Sequence, residues 1–323
     1  MLDTRKRESI YQPEQAGLKF PEKPVFATHA EERRHRQERL VAACRAFALH
    51  GLDYGFAGHL TVRDPERPHL YWTNPMAVHF SQVKCSNLIL ADHSGLVVEG
   101  QYAINRAGFV LHAAVHEHHA DIVAMCHAHT VYGGAYASLG RPLPPITQDA
   151  ACFFEDHVVI ADEGGKVAVE IGAGHKVAAA FKGVKAAIHQ NHGLITASRH
   201  SIEAAAFWFI ALERCCQQQL MIDASAAVFL VACSDQNAVA PAASEPPKPT
   251  FGAFGIDTAA MDTSVKPGDD FYRYVNGTWV STFPMPADKA RYSREHVGSE
   301  YIGWLHFQPV WEQLLRMQPD MLD

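Results

Sequence analysis

The apolar positions of this chain change their spacing several times, and each change marks an element. From about Glu31 to His50 they recur at helical intervals, with Leu40, Val41, Cys44, Phe47 and Ala48 on one face and Gly51 as the stop. Short runs at His59–Arg63, Leu70–Thr73 and Leu88–Asp92 read as strands separated by proline and glycine turns. A second helix is predicted over Phe109–His119. Asp121–Cys126 encloses an apolar stretch, Ile122, Val123, Ala124 and Met125, that suits a buried strand. A helix over Tyr132–Leu139 is ended by Gly140 and Pro142. Strands follow at Val158–Ala161 and Lys166–Ile171, then a helical Lys176–Phe181 and a strand-like run from Ala186 to Thr196. Ser201–Met221 reads as a long helix, with Ser201 as N-cap and Glu203 favourably placed in the first turn. Strands and helices alternate, but several strand pairs are joined too briefly for crossovers. The pattern therefore predicts an α/β chain whose sheet is mixed or mainly antiparallel and covered by helices, not a doubly wound parallel sheet.

The ends differ from the middle. Residues 1–28 look like an irregular arm with Pro13, Pro21 and Pro24. A main domain is predicted over 29–221. Residues 222–292 read as linker and insert, because Ser234–Thr250 is rich in proline, alanine and serine and Asp257–Tyr292 has little periodicity. The tail, 293–323, regains apolar and aromatic character (Tyr301, Trp304, Phe307, Trp311) and is predicted to pack on the domain or on a neighbouring subunit.

Composition narrows the class. Of 323 residues, 48% are hydrophobic and 20% charged, which is enough apolar material for a real core. A net charge of −7 offers no broad basic footprint for nucleic acid. The local basic run Arg33, Arg34, Arg36 and Arg39 is interleaved with Glu31, Glu32 and Glu38 and reads as a solvated helix face. Seven scattered cysteines with no CxxC pair argue for reduced thiols in a cytoplasmic setting. No apolar run reaches membrane-spanning length, and the charged start, Met1–Ser9, lacks an export signal's apolar region.

The chemistry is concentrated in Cys126-His127-Ala128-His129 and Asn191-His192-Gly193. Side chains alternate along a strand, so His127 and His129 project from one face, about 6–7 Å apart. A third imidazole from His192 would complete a three-nitrogen site with open positions, as a catalytic divalent metal needs. Cys126 points the other way on the same strand and reads as core. His112 and His116 form a rival pair four residues apart on one helix face. His112 lies on the apolar side of that helix, so a buried, hydrogen-bonded histidine behind the site is the better reading.

These histidines, with Gly140-Arg141-Pro142-Leu143-Pro144, Asn191-His192-Gly193-Leu194-Ile195-Thr196, the Leu212–Leu220 helix end and Gly58-His59-Leu60-Thr61-Val62-Arg63, resemble the class II aldolase/adducin head-domain family. The resemblance covers roughly residues 30–220, and 294–323 look like the end of one branch. It implies a three-layer α/β/α sandwich, a homotetramer with active sites at subunit contacts, and a divalent ion held by His127, His129 and His192. Zinc is the first choice of metal, with iron or manganese as the others. It also implies a carbonyl or carboxylate small-molecule substrate.

The departures redirect the function. The position of the family's proton-accepting glutamate is Gly108, the two phosphate-binding serines are Arg106 and Ala107, and the asparagine of the early phosphate loop is His59. A tyrosine acid falls near Gln148. A standard sugar-phosphate aldolase is therefore not expected. Asn105 and Arg106 are the candidate substrate-binding residues, Arg106 either clamping a carboxylate or serving a structural ion pair. Glu155, His157 and Gln148 are the candidates for the missing proton transfer, set against a loop of solvated charge. The leading expectation is a metal-dependent lyase acting on a small oxo- or hydroxy-acid, by retro-aldol cleavage or decarboxylation. A non-haem Fe(II) oxygenase and a non-catalytic assembly module are the alternatives. Within the insert, Met261–Tyr272 and Asn276-Gly277-Thr278-Trp279 resemble the start of a neprilysin-type metallopeptidase, and Leu230-Val231-Ala232-Cys233 looks like a lipoprotein box. No HExxH occurs, so no peptidase activity follows.

Overall fold

The computed structural model describes residues 17, 22–161, 171–234, 263–264 and 297–323. The chain divides into two compact units, Met1–Met221 with His296–Asp323, and Ile222–Glu295. Apart from the end of the long helix beyond Met221, the elements below belong to the first. The strand expected at Lys166–Ile171 and most of the expected insert, including its peptidase-like motifs, lie outside the described residues.

Thr28 starts α1 (His29–Leu49) through a capping box: its hydroxyl accepts from the Glu31 amide while the Glu31 carboxylate accepts from the Thr28 amide. That reciprocal cap is worth about 1 kcal/mol. The strands are β1 (His59–Arg63), β2 (Leu70–Thr73), β3 (Ile89–Asp92) and β4 (Val97–Glu99). Next come α2 (Arg106–His118), β5 (Ala124–Ala128), α3 (Val131–Ala137), α4 (Gln148–Ala151), β6 (His157–Ile160) and α5 (Ile171–Ala180). The hairpin β7 (Ala186–His189) and β8 (Gly193–Ser198) precedes α6 (Ile202–Ser234), and α7 spans Val297–Met317.

The strands form one eight-stranded open sheet in the order β4-β3-β2-β1-β5-β8-β7-β6. Every neighbouring pair is antiparallel except β6 and β7. The expected α/β fold with a mixed, mainly antiparallel sheet is thus the observed one. Strand alternation sorts the side chains between two helical layers. Ala124, Cys126 and Ala128 of β5 face a core built with Leu40, Phe47, Phe209 and Phe307 from α1, α6 and α7. Met125, with Ala187 and Ile195, faces the other layer, Leu111, Ala114 and Val115 of α2 and Val177 of α5. His127, of the same parity as Met125, is delivered to the α2 side.

Several local expectations are corrected. Ala186–Thr196 is not one strand but two, turned at Gln190-Asn191-His192, with Asn191 in the left-handed region (φ 58°). The edge strand β4 and the four-residue α4 are too short to show in the apolar pattern. The long helix continues through Ser234, past the expected end at Met221. The basic run of α1 is not simply solvated. Arg34 pairs with Glu38 on the surface, but Arg33 reaches Asp64 (2.7 Å) and Arg36 donates to the Arg63 carbonyl, tying α1 to the end of β1.

Candidate metal centre

His127 sits near the end of the central strand β5, and antiparallel pairing sets His59 of β1 opposite it. His129 follows two residues later, just past the strand. His192 comes from the β7–β8 turn, which folds back over the same strand end because Gly193 lies against it; a Cβ there would stand 3.3 Å from the Ala128 carbonyl oxygen. The three rings meet with centroids 4.8–5.0 Å apart. One ring nitrogen of each lies within 4.8 Å of the others. With metal–nitrogen bonds of about 2.0–2.1 Å, a small inward adjustment of the rings would let all three hold one ion.

The protonation state of His127 is settled by its partner. Nδ1–H donates to the Leu194 carbonyl (2.8 Å), so Nε2 carries the lone pair. That Nε2 is fully buried and has no hydrogen-bond partner. A buried acceptor aimed into a cavity, held from behind by a carbonyl, is the arrangement that metal-binding imidazoles use. Burial also pushes His127 well below its ordinary pKa and lowers His129, so both are neutral ligands at pH 7. The donor set therefore fits a divalent ion.

Support comes from α6. The Glu213 carboxylate accepts from the Thr130 hydroxyl (2.5 Å) and from the amides of Tyr132 (3.0 Å) and Gly133 (2.7 Å). A buried anion thereby caps the N-terminus of α3 immediately after His129.

Behind His59 lies a directed hydrogen-bond chain. His116 Nδ1–H donates to the Ile122 carbonyl (3.2 Å), leaving its Nε2 to accept from the Thr61 hydroxyl (2.9 Å). Thr61 Oγ1 can then only accept from His112 Nδ1–H (2.9 Å). His112 Nε2 is left as a bare lone pair, and the His112 ring meets that of His59 edge-on, centroids 4.2 Å apart. Burial holds His59 and His112 well below the usual histidine range and brings His116 down to about 3.

The triad opens on a cavity of about 380 Å³, lined also by His59, Asn105, Gly108, Phe56, Leu111 and Asn191. Its described lining holds no carboxylate and no lysine or arginine. Asn105 lines it and caps α2, its Oδ1 accepting from the Gly108 amide (3.5 Å). Arg106 is exposed and outside the lining. Glu155 is exposed in a left-handed turn (φ 55°), and Gln148 is exposed at the start of α4. His157 uses both ring nitrogens within the fold: Nδ1 donates to the Phe153 carbonyl (2.6 Å) and Nε2 accepts from the Leu143 amide (2.9 Å). Neither these three nor Arg106 is brought to the triad within one chain. His59 entered the sequence reading only as a departure from the family's early phosphate loop, not as a candidate site residue; that it lies beside the triad depends on the β1–β5 pairing, which the sequence does not show.

Comparison with known proteins identifies the family. The family described as Class II Aldolase and Adducin N-terminal domain matches residues 38–220. The chain is 36% identical, over 304 residues, to a 4-hydroxy-3-prenylphenylpyruvate oxygenase/4-hydroxy-3-prenylbenzoate synthase of Streptomyces roseochromogenus subsp. oscitans, covering 94% of this chain and 90% of that one. It is 36% identical to Decarboxylase NovR of Streptomyces niveus, covering 94% and 92%. Among solved structures, an L-fuculose 1-phosphate aldolase from Glaciozyma antarctica PI12 superposes with a TM-score of 0.67 at 32% identity, over 94% of this chain and 97% of that one.

Proposed function

The chain belongs to the class II aldolase and adducin N-terminal domain family, and on that premise we propose that it is a divalent-metal-dependent lyase acting on a small oxo- or hydroxy-acid. Members of the family are typically divalent-metal dependent. The observation that carries the proposal is the buried, unpartnered Nε2 of His127 converging with His129 and His192 on an open cavity. When bound there, the ion supplies a Lewis acid that polarises a substrate carbonyl. Zinc is the metal we favour, since three imidazoles with a vacant position suit it, with iron or manganese as the other candidates.

The chain's own residues define the rest. His127 is oriented by the Leu194 carbonyl, His129 by the Glu213-capped start of α3, and His192 by the β7–β8 turn. Phe56 and Leu111 add apolar surface to the cavity lining. Decarboxylation suits this cavity better than retro-aldol cleavage. It needs an electron sink but no removal of a substrate hydroxyl proton, and the described lining has no carboxylate to remove one. The NovR relative is named a decarboxylase. If Glu155, Gln148 or Arg106 serve the reaction, they do so from a neighbouring subunit, which is consistent with our proposal of a homotetramer with sites at subunit contacts; His157, with both ring nitrogens engaged in its own fold, is not a candidate for that role. We place the protein in the cytoplasm, on the free thiols among the described residues; no helix among them is long and apolar enough to cross a membrane. We also retain the proposal that residues 222–292 interrupt the family's chain.

A second reading, a non-haem Fe(II) oxygenase, is favoured by the relative named as an oxygenase. The two separate in one experiment. Metal-loaded protein is incubated with a panel of 2-oxo and 2-hydroxy acids without oxygen. Anaerobic release of CO₂ or an aldehyde supports the lyase. Turnover that appears only with Fe(II) and consumes O₂ supports the oxygenase. No turnover with any metal, in air or without it, leaves the assembly module.

A further inference from the structure

We propose that His59 is the residue that hydrogen-bonds the substrate at this centre, donating from Nε2 to an anionic oxygen of an oxo-acid held beside the three-imidazole site. The inference rests on the oxo-acid reading above and names the protein group that reads its charge.

Three observations converge on it. First, position: β1–β5 pairing sets His59 directly across from His127, ring centroids 5.0 Å apart, and His59 lines the same cavity as the triad. Second, space: the ring lies in a notch at the first turn of α2 that exists only because residue 108 is glycine. A Cβ at Gly108 would overlap the Cδ2–Nε2 edge of His59 and stand 3.1 Å from its Cγ. The fold thus makes room for this imidazole at the mouth of the cavity and excludes any side chain on α2 that would compete for the place.

Third, the hydrogen-bonding state. Nδ1 of His59 is fully buried without a partner. A buried N–H with nothing to donate to is costlier than a bare lone pair, so the proton belongs on Nε2, the nitrogen on the notch edge. An N–H on that edge favours an anionic oxygen at a set position, beside a site that a bound divalent ion would make positive. A carboxylate or an enolate can accept from it. In a cavity whose described lining lacks lysine and arginine, it is the donor on β1 best placed to do so.

The probe is oxalate, a planar dianion that chelates divalent ions and imitates the acid end of an oxo-acid. Metal-loaded full-length protein is titrated with oxalate by calorimetry, and metal content is read separately. His59→Ala is expected to keep its metal and its fold while binding oxalate at least ten-fold more weakly. His59→Asn, which keeps a donor, should recover part of that loss. Gly108→Ala, which pushes the ring from its notch, should weaken oxalate with the metal intact, and it serves if His59→Ala fails to fold. Equal oxalate affinity in wild type, His59→Ala and Gly108→Ala overturns the proposal. So does loss of metal in His59→Ala, because the residue would then be a ligand or a support for one. Wild-type protein that holds its metal but ignores oxalate overturns the oxo-acid reading itself, and this proposal with it.

Discussion

The ring of His59 on β1 occupies the space that any side chain at Gly108 on α2 would need. The two positions are far apart in the chain and meet at the mouth of the candidate metal centre. Substitution at either should therefore be felt at the other. Gly108→Ala is expected to cost about 1–3 kcal/mol through overpacking, despite alanine's better helix propensity. In a His59→Ala background the same change should cost little or stabilise. A double-mutant cycle by urea denaturation measures the coupling, and a coupling near zero would show that the ring yields freely.

Thr61 joins His112 and His116 through one hydroxyl. Thr61→Val keeps the shape and removes both partners, leaving His112 Nδ1 and His116 Nε2 buried and unsatisfied. The expected loss is about 2–6 kcal/mol, from roughly 1–3 kcal/mol for each of the two stranded groups, read as a lower denaturant midpoint with an unchanged slope. A loss under about 0.5 kcal/mol would contradict the directed chain.

Glu213 supports the centre from a different layer. Glu213→Ala removes the acceptor for Thr130, Tyr132 and Gly133 and so loosens the segment that carries His129. Metal affinity, measured by competition with a chromogenic chelator, should fall on the order of ten-fold. Unchanged affinity would place the cap outside the site's support.

Acid stability follows from the buried imidazoles. His112 and His116 have folded-state values below that of an unfolded histidine, His116 at about 3. Below about pH 6.5 the unfolded chain takes up protons that the folded chain does not, so stability must fall as pH falls. For His116 the window runs from about 6.5 down to about 3. Each group contributes on the order of 1 kcal/mol per pH unit. Denaturation of metal-stripped protein at pH 7.5, 6 and 5 should show little slope above neutrality and a steepening loss below it. Stability that rises on acidification would contradict the burial of these rings as neutral groups.

Much of this architecture was legible in the chain. Apolar spacing located β1, β2 and the helices α1, α2, α3 and α6, and strand parity alone sent Cys126 to the core and His127 to the other face. What the pattern could not supply was pairing. That β1 lies beside β5, and so brings His59 to His127, is a non-local fact with no local signal. The β7–β8 turn was hidden for another reason: apolar residues continue on both sides of it, and Asn191 takes the left-handed conformation that a glycine would have advertised. His157 and Glu155 looked available because sequence does not show that a ring's two nitrogens are spent on Phe153 and Leu143, or that a carboxylate points to solvent.

The central claim is that His127, His129 and His192 share one divalent ion, and elemental analysis of the purified protein tests it most directly. The account predicts close to one equivalent of metal per chain in wild type, and its loss in His127→Ala with the helical signal and oligomeric state retained. Wild-type protein that binds no stoichiometric metal when supplied with zinc, iron or manganese, or a His127→Ala variant that holds as much metal as wild type, would contradict it.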